Sequence, residues 1–142
     1  MPLVRIDVEQ RRTEAELQNI ADAIHSAIVS VYRIPERDRF QVLSRLPESR
    51  IIAQDAGLGF ERSSKGAVII QIFTQRGRSK ELKQELYAAI CDSLVAVDVA
   101  ESDVFIGYVE NGPEDWSFGF GRAQYVTGEL SVPKASLVDL ED

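Results

Sequence analysis

The chain opens with Met1-Pro2-Leu3-Val4-Arg5-Ile6-Asp7-Val8, in which every second side chain from Val4 onward is aliphatic. A period of two predicts a β-strand with one buried face. Because a small residue follows the initiator methionine, we expect removal of Met1, which leaves Pro2 with a free secondary amine. An amine held at the head of a strand can act as acid, base or nucleophile in a fixed position, which a frayed terminus could not offer. The alternative is that Pro2 is an ordinary residue in a solvated terminus.

A capped helix follows this strand. Thr13 and Glu16 match a capping box, and apolar residues between Leu17 and Val31 recur at helical spacing. Pro35 lies just beyond, where the helix must have ended. Residues 38–43 predict a second strand, so the first part of the chain is one strand–helix–strand unit.

The same order recurs in the second half. Ala67–Phe73 is a nearly continuous apolar run rich in β-branched residues, which is typical of a strand buried on both faces. Ser79 can cap a second helix, and Val104–Val109 predicts another strand. Residues 67–109 therefore repeat the βαβ unit of residues 2–46. The turn-rich connection over Pro47–Gly59 is predicted to hold a hairpin or a short ordered loop.

The predicted topology determines which polar side chains meet. Two strands joined through a helix run parallel, so Pro2 and Asp38, each at the start of its strand, fall on the same edge of the sheet. Arg76 and Arg78 follow the third strand and reach that edge only if the second unit runs antiparallel to the first. We therefore predict an α/β (α+β) fold of βαββαβ order, a four-stranded sheet with both helices on one face. The other face is also apolar, and another subunit is the simplest cover for it.

Composition excludes several classes of function. Sixteen basic and 23 acidic residues among 142 give a net charge of −7, which argues against a general binder of nucleic acid or of an anionic membrane. No apolar run approaches the ~20 residues that span a bilayer, and no signal peptide is visible, so the predicted location is cytoplasmic.

His25 and Cys91 are single, so no metal site is expected, and His25 is predicted to be structural. By length the chain is one domain, predicted over residues 1–130 with a tail over 131–142.

The predicted edge combines an amine, a carboxylate and two guanidinium groups. Arg76 and Arg78 flank Gly77, and arginine grips carboxylates through paired hydrogen bonds. This set predicts a small anionic carboxylate as substrate. Asp38 favours a charged Pro2 whereas the arginines oppose it, so the sequence leaves the protonation state of Pro2 open.

These residues resemble a known family. Pro2, the paired βαβ units, Asp38 within residues 35–41 and the Arg-Gly-Arg of residues 76–78 are similar to the tautomerase superfamily. Four further segments resemble its malonate semialdehyde decarboxylase branch: residues 55–63, 110–111, 115–119 and 125–130. The resemblance covers about residues 2–130.

The resemblance implies a homotrimer that uses neither a metal nor an organic cofactor. It implies that Pro2 is the catalytic amine, that Asp38 is its acidic partner, and that Arg76 and Arg78 clamp the substrate carboxylate. Trp116 and Phe118 would line the pocket. The implied reaction is decarboxylation of malonate semialdehyde (3-oxopropanoate) to acetaldehyde and CO2.

Two other functions stay open. The first is a hydratase, dehalogenase or tautomerase of small unsaturated or 2-oxo acids, in which Asp38 activates water and Pro2 donates a proton. The related cis-3-chloroacrylic acid dehalogenases use a glutamate near the position of Phe118, and its absence here counts against that activity. The second is a non-catalytic trimer of the same fold, which a retained Met1 would favour.

Overall fold

The computed structural model describes residues 2–132. Its elements are β1 (Leu3–Glu9), α1 (Glu14–Tyr32), β2 (Phe40–Leu46), β3 (Val68–Gln75), α2 (Lys80–Val95), β4 (Val104–Asn111) and the short α3 (Gln124–Thr127). Single 3-10 turns occupy Glu101–Asp103 and Pro113–Asp115. The predicted βαββαβ order is confirmed. None of the described helices combines the length and apolar character that a bilayer span requires.

The four strands form one mixed sheet in the order β2-β1-β3-β4. β1 and β2 are parallel, β3 and β4 are parallel, and the two central strands β1 and β3 are antiparallel. The aliphatic side chains of the central strands face each other, with Val4 opposite Ile72 and Ile6 opposite Ile70. The second βαβ unit therefore runs antiparallel to the first, as predicted.

Both long helices begin with the caps that the sequence predicts. The Glu16 backbone N–H donates to Thr13 Oγ1 at 3.1 Å, and the Thr13 backbone N–H donates to Glu16 Oε1 at 3.3 Å. In α2 the Leu82 backbone N–H donates to Ser79 Oγ at 3.1 Å. These bonds satisfy backbone donors that have no partner within the helix, and so fix where each helix starts.

The helices cover one face of the sheet and leave the other open. Aliphatic residues of α1, α2 and the central strands form a single buried core: Val4, Ile6, Val8, Leu17, Ile20, Ile24, Ile28, Val68, Ile70, Ile72, Leu86, Ile90 and Leu94. On the opposite face, Phe40 is 39% exposed, Phe105 48% and Val109 50%. The open face is thus apolar at both edge strands, which is unusual for a surface that meets only water.

Residues 47–67, here called the arm, contain neither a helix nor a strand. Of the two predicted alternatives, a hairpin or a short ordered loop, the structure has the loop, which is held by side chains. Arg62 donates to the carbonyl oxygens of Ala53 at 3.1 Å and Gln54 at 2.9 Å. The Ser63 backbone N–H donates to Asp103 Oδ1 at 2.8 Å. These contacts satisfy some of the polar backbone groups of the arm in the absence of a strand partner.

A buried ion pair connects the two halves. Arg12 Nη2 lies 3.0 Å from Asp103 Oδ2, with side-chain exposures of 2% and 0%. The same nitrogen donates to the Gly66 carbonyl oxygen at 2.9 Å, and Asp103 also accepts from the Ser63 hydroxyl. The start of α1, the arm and the start of β4 therefore meet at one point.

Some boundaries differ from those predicted. β2 begins at Phe40 rather than Asp38, so Asp38 lies in the turn that leads into the strand. The helix α3 was not predicted, because four residues give too short a pattern to recognise. Residues 133–142 of the predicted tail lie outside the described residues, so the division at residue 130 remains a prediction.

Candidate active site

One end of the sheet brings the predicted site residues together. Leu3 pairs with Phe40 of β2 and with Phe73 of β3, so these three positions lie at one level. Pro2 is buried immediately before β1. Asp38 lies two residues before β2, and Arg76 follows the last residue of β3. The antiparallel pairing of β1 and β3 therefore gathers Pro2, Asp38 and the arginine turn at the same edge.

Asp38 is half-buried at this edge. Burial raises the pKa of its carboxyl above the ordinary value, because a desolvated carboxylate is disfavoured, while the positive charge of Arg78 opposes that rise. A carboxyl in this environment binds a proton more readily than one in water. It is therefore suited to exchanging a proton with a neighbouring group.

Arg78 carries a buried positive charge. It is 9% exposed, and its Nη1 donates to Thr74 Oγ1 at 3.1 Å and to the Gln75 carbonyl oxygen at 3.2 Å. Within residues 2–132 it forms no ion pair with any carboxylate. A buried charge is costly unless it is paired, so this guanidinium is suited to receiving an anion.

Arg76 lies against the turn that follows β4. Its backbone N–H donates to the Asn111 carbonyl oxygen at 2.8 Å. Its Nη1 comes so close to Gly112 that a Cβ built there would lie 2.6 Å from it. The absence of a side chain at Gly112 therefore makes room for the Arg76 guanidinium.

Trp116 and Phe118 form an aromatic wall next to this edge. Their rings are stacked with centroids 5.8 Å apart, and Phe118 also contacts Phe40 at 5.8 Å. Trp116 Nε1 donates to Asn111 Oδ1 at 2.8 Å. The two rings line a cleft of about 430 Å³ on the open face of the sheet, together with Leu3, Phe40, Phe73, Asn111, Asp115 and Ser117. Leu3 and Phe40 are near neighbours in sequence of Pro2 and Asp38, so the cleft adjoins the charged edge.

Tyr125 belongs to the same environment but was not predicted as a site residue. Burial raises the pKa of its hydroxyl, and both Asp38 and Arg78 act on it electrostatically. It also packs edge-on against Phe118, with ring centroids 5.3 Å apart. In the sequence only its place in a family-like segment pointed to it, since no local pattern shows that the chain returns to the site at α3.

Tyr32 was missed for a different reason. It ends the apolar stripe of α1 and therefore looks like an ordinary core residue, yet its ring lies against the Arg78 guanidinium.

His25, predicted to be structural, is buried in α1, and its Nε2 donates to the Glu36 carbonyl oxygen at 2.8 Å. That bond fixes the turn that carries Asp38.

The described residues contain no group of three or more histidine, cysteine or acidic side chains arranged to hold a metal ion. The side chains gathered at the edge offer a carboxyl with a raised pKa, a buried guanidinium, a second arginine and, once Met1 is removed, the amine of Pro2.

Two models of tautomerase enzyme families match the chain, one over residues 38–119 and one over residues 2–61. The probable tautomerase YrdN of Bacillus subtilis (strain 168) is 37% identical over 131 residues, which are 92% of this chain and 100% of that protein. The probable tautomerase YusQ of the same organism is 34% identical, over 89% of this chain and 99% of that protein.

Solved structures give the same picture. The FG41 malonate semialdehyde decarboxylase inhibited by 3-bromopropiolate superposes with a TM-score of 0.88 at 57% identity, covering 92% of this chain and 99% of that one. A second malonate semialdehyde decarboxylase, described as having decarboxylase and hydratase activities, has a TM-score of 0.83 at 36% identity, over 90% and 98% of the chains. A fused 4-OT at 18% identity and a TM-score of 0.70, over 88% and 98% of the chains, shares the fold.

Proposed function

The chain belongs to the tautomerase family, and from that premise we propose that it is a malonate semialdehyde decarboxylase. It converts 3-oxopropanoate to acetaldehyde and CO2 with no metal and no organic cofactor. The observation that carries the proposal is the buried Arg78 guanidinium, which has no carboxylate partner among residues 2–132 and lies at the edge that Pro2 and Asp38 share. The 57% identity to a decarboxylase of this reaction supports the choice of substrate.

Arg78 binds the substrate carboxylate in this proposal, and Arg76 assists from the turn beside Gly112. A guanidinium can hold a carboxylate with its plane turned out of the plane of the adjacent carbonyl group. In that orientation the bond that breaks overlaps the π system of the aldehyde. The aromatic wall of Trp116 and Phe118 excludes water, which favours conversion of the charged carboxylate into neutral CO2.

Pro2 supplies the sink for the electrons of the broken bond. The bond between the carboxylate carbon and C2 breaks, its electron pair forms an enolate, and a proton then adds to C2 to give acetaldehyde. A protonated Pro2 can stabilise the enolate oxygen by a hydrogen bond. Alternatively, a neutral Pro2 attacks the aldehyde with loss of water, and the resulting iminium accepts the electrons until water releases the product. Either route needs the free amine that removal of Met1 provides.

Asp38 manages the proton. In its ionised form the half-buried Asp38 carboxylate favours the protonated form of Pro2. In its neutral form, which the raised pKa of Asp38 favours, the carboxyl can carry the proton that C2 receives. The same property favours a second candidate function, hydration of small unsaturated acids, in which Asp38 takes a proton from water and Pro2 donates one to the substrate. The neutral wall at Trp116 and Phe118 offers no further base, so we place decarboxylation first.

We also propose that the chain is a homotrimer, because the open face of the sheet exposes apolar side chains of β2 and β4. One related fused 4-OT structure is described as a symmetric trimer. Sedimentation at micromolar concentration should give about three times the 15.8 kDa of one chain. A well-folded monomer would contradict the proposal.

The proposed reaction is tested by comparing kcat/KM for 3-oxopropanoate, followed as acetaldehyde formation, with kcat/KM for 3-chloroacrylate, followed as chloride release. We expect the first to be far larger. Arg78→Ala should lower it by about 2–3 kcal/mol in transition-state stabilisation, as expected when a charge-assisted contact is lost. A higher kcat/KM for the haloacrylate, or an unchanged kcat/KM in Arg78→Ala, would show that the assignment is wrong.

A further inference from the structure

The orientation of Arg78 is set from two sides. On one side, Arg78 Nη1 donates hydrogen bonds to Thr74 and Gln75 and is thereby held against the end of β3. The guanidinium carbon lies 4.5 Å from the centroid of the Tyr32 ring at the C-terminal end of α1. A guanidinium is planar, and two hydrogen bonds from a single nitrogen do not determine how the plane is tilted about that nitrogen. Contact with the Tyr32 ring limits the tilts that the plane can adopt.

Tyr32 is itself held in place. Its hydroxyl donates to the Tyr108 hydroxyl in β4 at 3.0 Å. Burial raises the pKa of both hydroxyl groups, so both stay protonated and the bond persists at neutral pH. Tyr108 in turn packs edge-on against Tyr87 of α2, with centroids 6.3 Å apart, and lies under the ammonium of Lys83 at 4.9 Å. The ring beside Arg78 is thus anchored to three elements rather than to α1 alone.

We infer that Tyr32 is a positioning residue, which orients Arg78 to receive the carboxylate of the substrate. The inference rests on the proposed function for the identity of that ligand. Within residues 2–132 the hydrogen bonds of the guanidinium are both made by Nη1, which leaves Nε and Nη2 for a ligand. Without the ring, the long arginine side chain would sample other tilts, and carboxylate binding would have to select among them.

The experiment measures binding rather than turnover. The probe is 3-hydroxypropanoate, an unreactive carboxylate of the same chain length as the substrate, titrated while its own NMR signals are followed. Tyr32→Leu removes the ring and should weaken binding about tenfold, in line with loss of a desolvated cation–π contact. Tyr32→Phe and Tyr108→Phe each keep both rings but remove the hydroxyl bond, and should weaken it about twofold to threefold. Phe60→Leu is the matched control: it removes an aromatic ring that lies against a different guanidinium, that of Arg62 in the arm, and should leave binding unchanged.

A double-mutant cycle separates positioning from general packing. In an Arg78→Ala background, Tyr32→Leu should cause no further weakening, because the group that it orients is gone. An equal loss in both backgrounds, or wild-type affinity in Tyr32→Leu, would overturn the inference. If Tyr32→Leu does not fold, the two phenylalanine variants decide: a loss that disappears without Arg78 supports the role, and wild-type affinity in both overturns it.

The outcome is separable from that of the proposed reaction. A wild-type protein that binds 3-hydroxypropanoate but releases no CO2 from 3-oxopropanoate would overturn the reaction and leave the role of Tyr32 to be decided by its variants. A wild-type protein that binds no carboxylate would overturn both.

Discussion

Replacing Gly112 with alanine would move Arg76 without changing its charge. The added Cβ would lie 2.6 Å from Arg76 Nη1 and 2.7 Å from both carboxylate oxygens of Glu114. Non-bonded atoms of this kind are normally about 3.5 Å apart or more. The guanidinium must therefore move by about 1 Å. The backbone accepts the change, because Gly112 has φ −110° and ψ 173°, an extended conformation open to any residue.

The effect should appear in activity rather than in stability. The atoms that have to move are the ends of flexible side chains, and the glycine replacement restricts the unfolded chain by about 0.4–1 kcal/mol in favour of folding. We expect a Tm within about 3 °C of the wild type. If Arg76 helps to hold the substrate carboxylate, the displacement should lower kcat/KM for 3-oxopropanoate about tenfold. That is less than the ~10²-fold loss that an error of 1 Å in positioning can cause.

The assay follows acetaldehyde through its reduction by alcohol dehydrogenase and NADH, for the wild type, Gly112→Ala, Arg76→Ala and the double variant. A methyl group that acts only through Arg76 should add nothing to the loss in Arg76→Ala. Glu114→Ala serves as a control for the second close contact and should retain activity. The reasoning would be refuted if Arg76→Ala lost activity while Gly112→Ala kept the wild-type activity. It would also be refuted if the double variant were less active than Arg76→Ala.

Three further predictions concern the amine, the carboxyl and the buried ion pair. Pro2→Ala keeps an amine but replaces a secondary one by a primary one, and should lower kcat strongly at unchanged Tm; protein whose intact mass still includes Met1 should be inactive. Because burial raises the pKa of Asp38, this carboxyl contributes stability below its unfolded-state pKa of about 3.9 and loses it as the pH rises through the native pKa. Asp38→Asn should therefore raise the Tm at pH 7 and lose that advantage near pH 4, and a lower Tm at pH 7 would contradict the burial argument. Asp103→Asn leaves the Arg12 guanidinium buried without its counter-ion and should cost about 3–5 kcal/mol in urea unfolding, whereas a loss below ~1 kcal/mol would show that water reaches the site.

The sequence was sufficient to predict the helix starts, because each cap depends on residues that are close together in the chain. Thr13 and Ser79 cap the helices because their hydroxyl groups satisfy backbone donors within one turn. The gathering of Asp38 and Arg78 at one edge followed from chain connectivity, because parallel βαβ units leave few alternatives once the halves pair antiparallel.

The remaining features depend on contacts between residues that are distant in sequence. The arm is shaped by side chains such as Asp103, which lies 40 positions from its partner Ser63. Tyr32 lies 76 positions from Tyr108, and nothing in the apolar stripe of α1 separates it from a core residue. Gly112 is informative only when Arg76 is known to lie against it. No local pattern contains this information, since each case is defined by an approach in three dimensions.

The junction of Arg12 with Asp103 implies an order of events during folding. These two residues are 91 positions apart, and Arg12 also reaches Gly66, 54 positions away. Contacts of such long range form late, because the chain entropy of closing the loops must be lost before the contacts stabilise anything. A nascent chain that has made only its first βαβ unit lacks Asp103, so Arg12 has no counter-ion from β4 and the arm lacks the bond between Ser63 and Asp103. Protease cleavage within residues 47–67 during refolding should therefore persist until the two units have joined, and its disappearance would time that step.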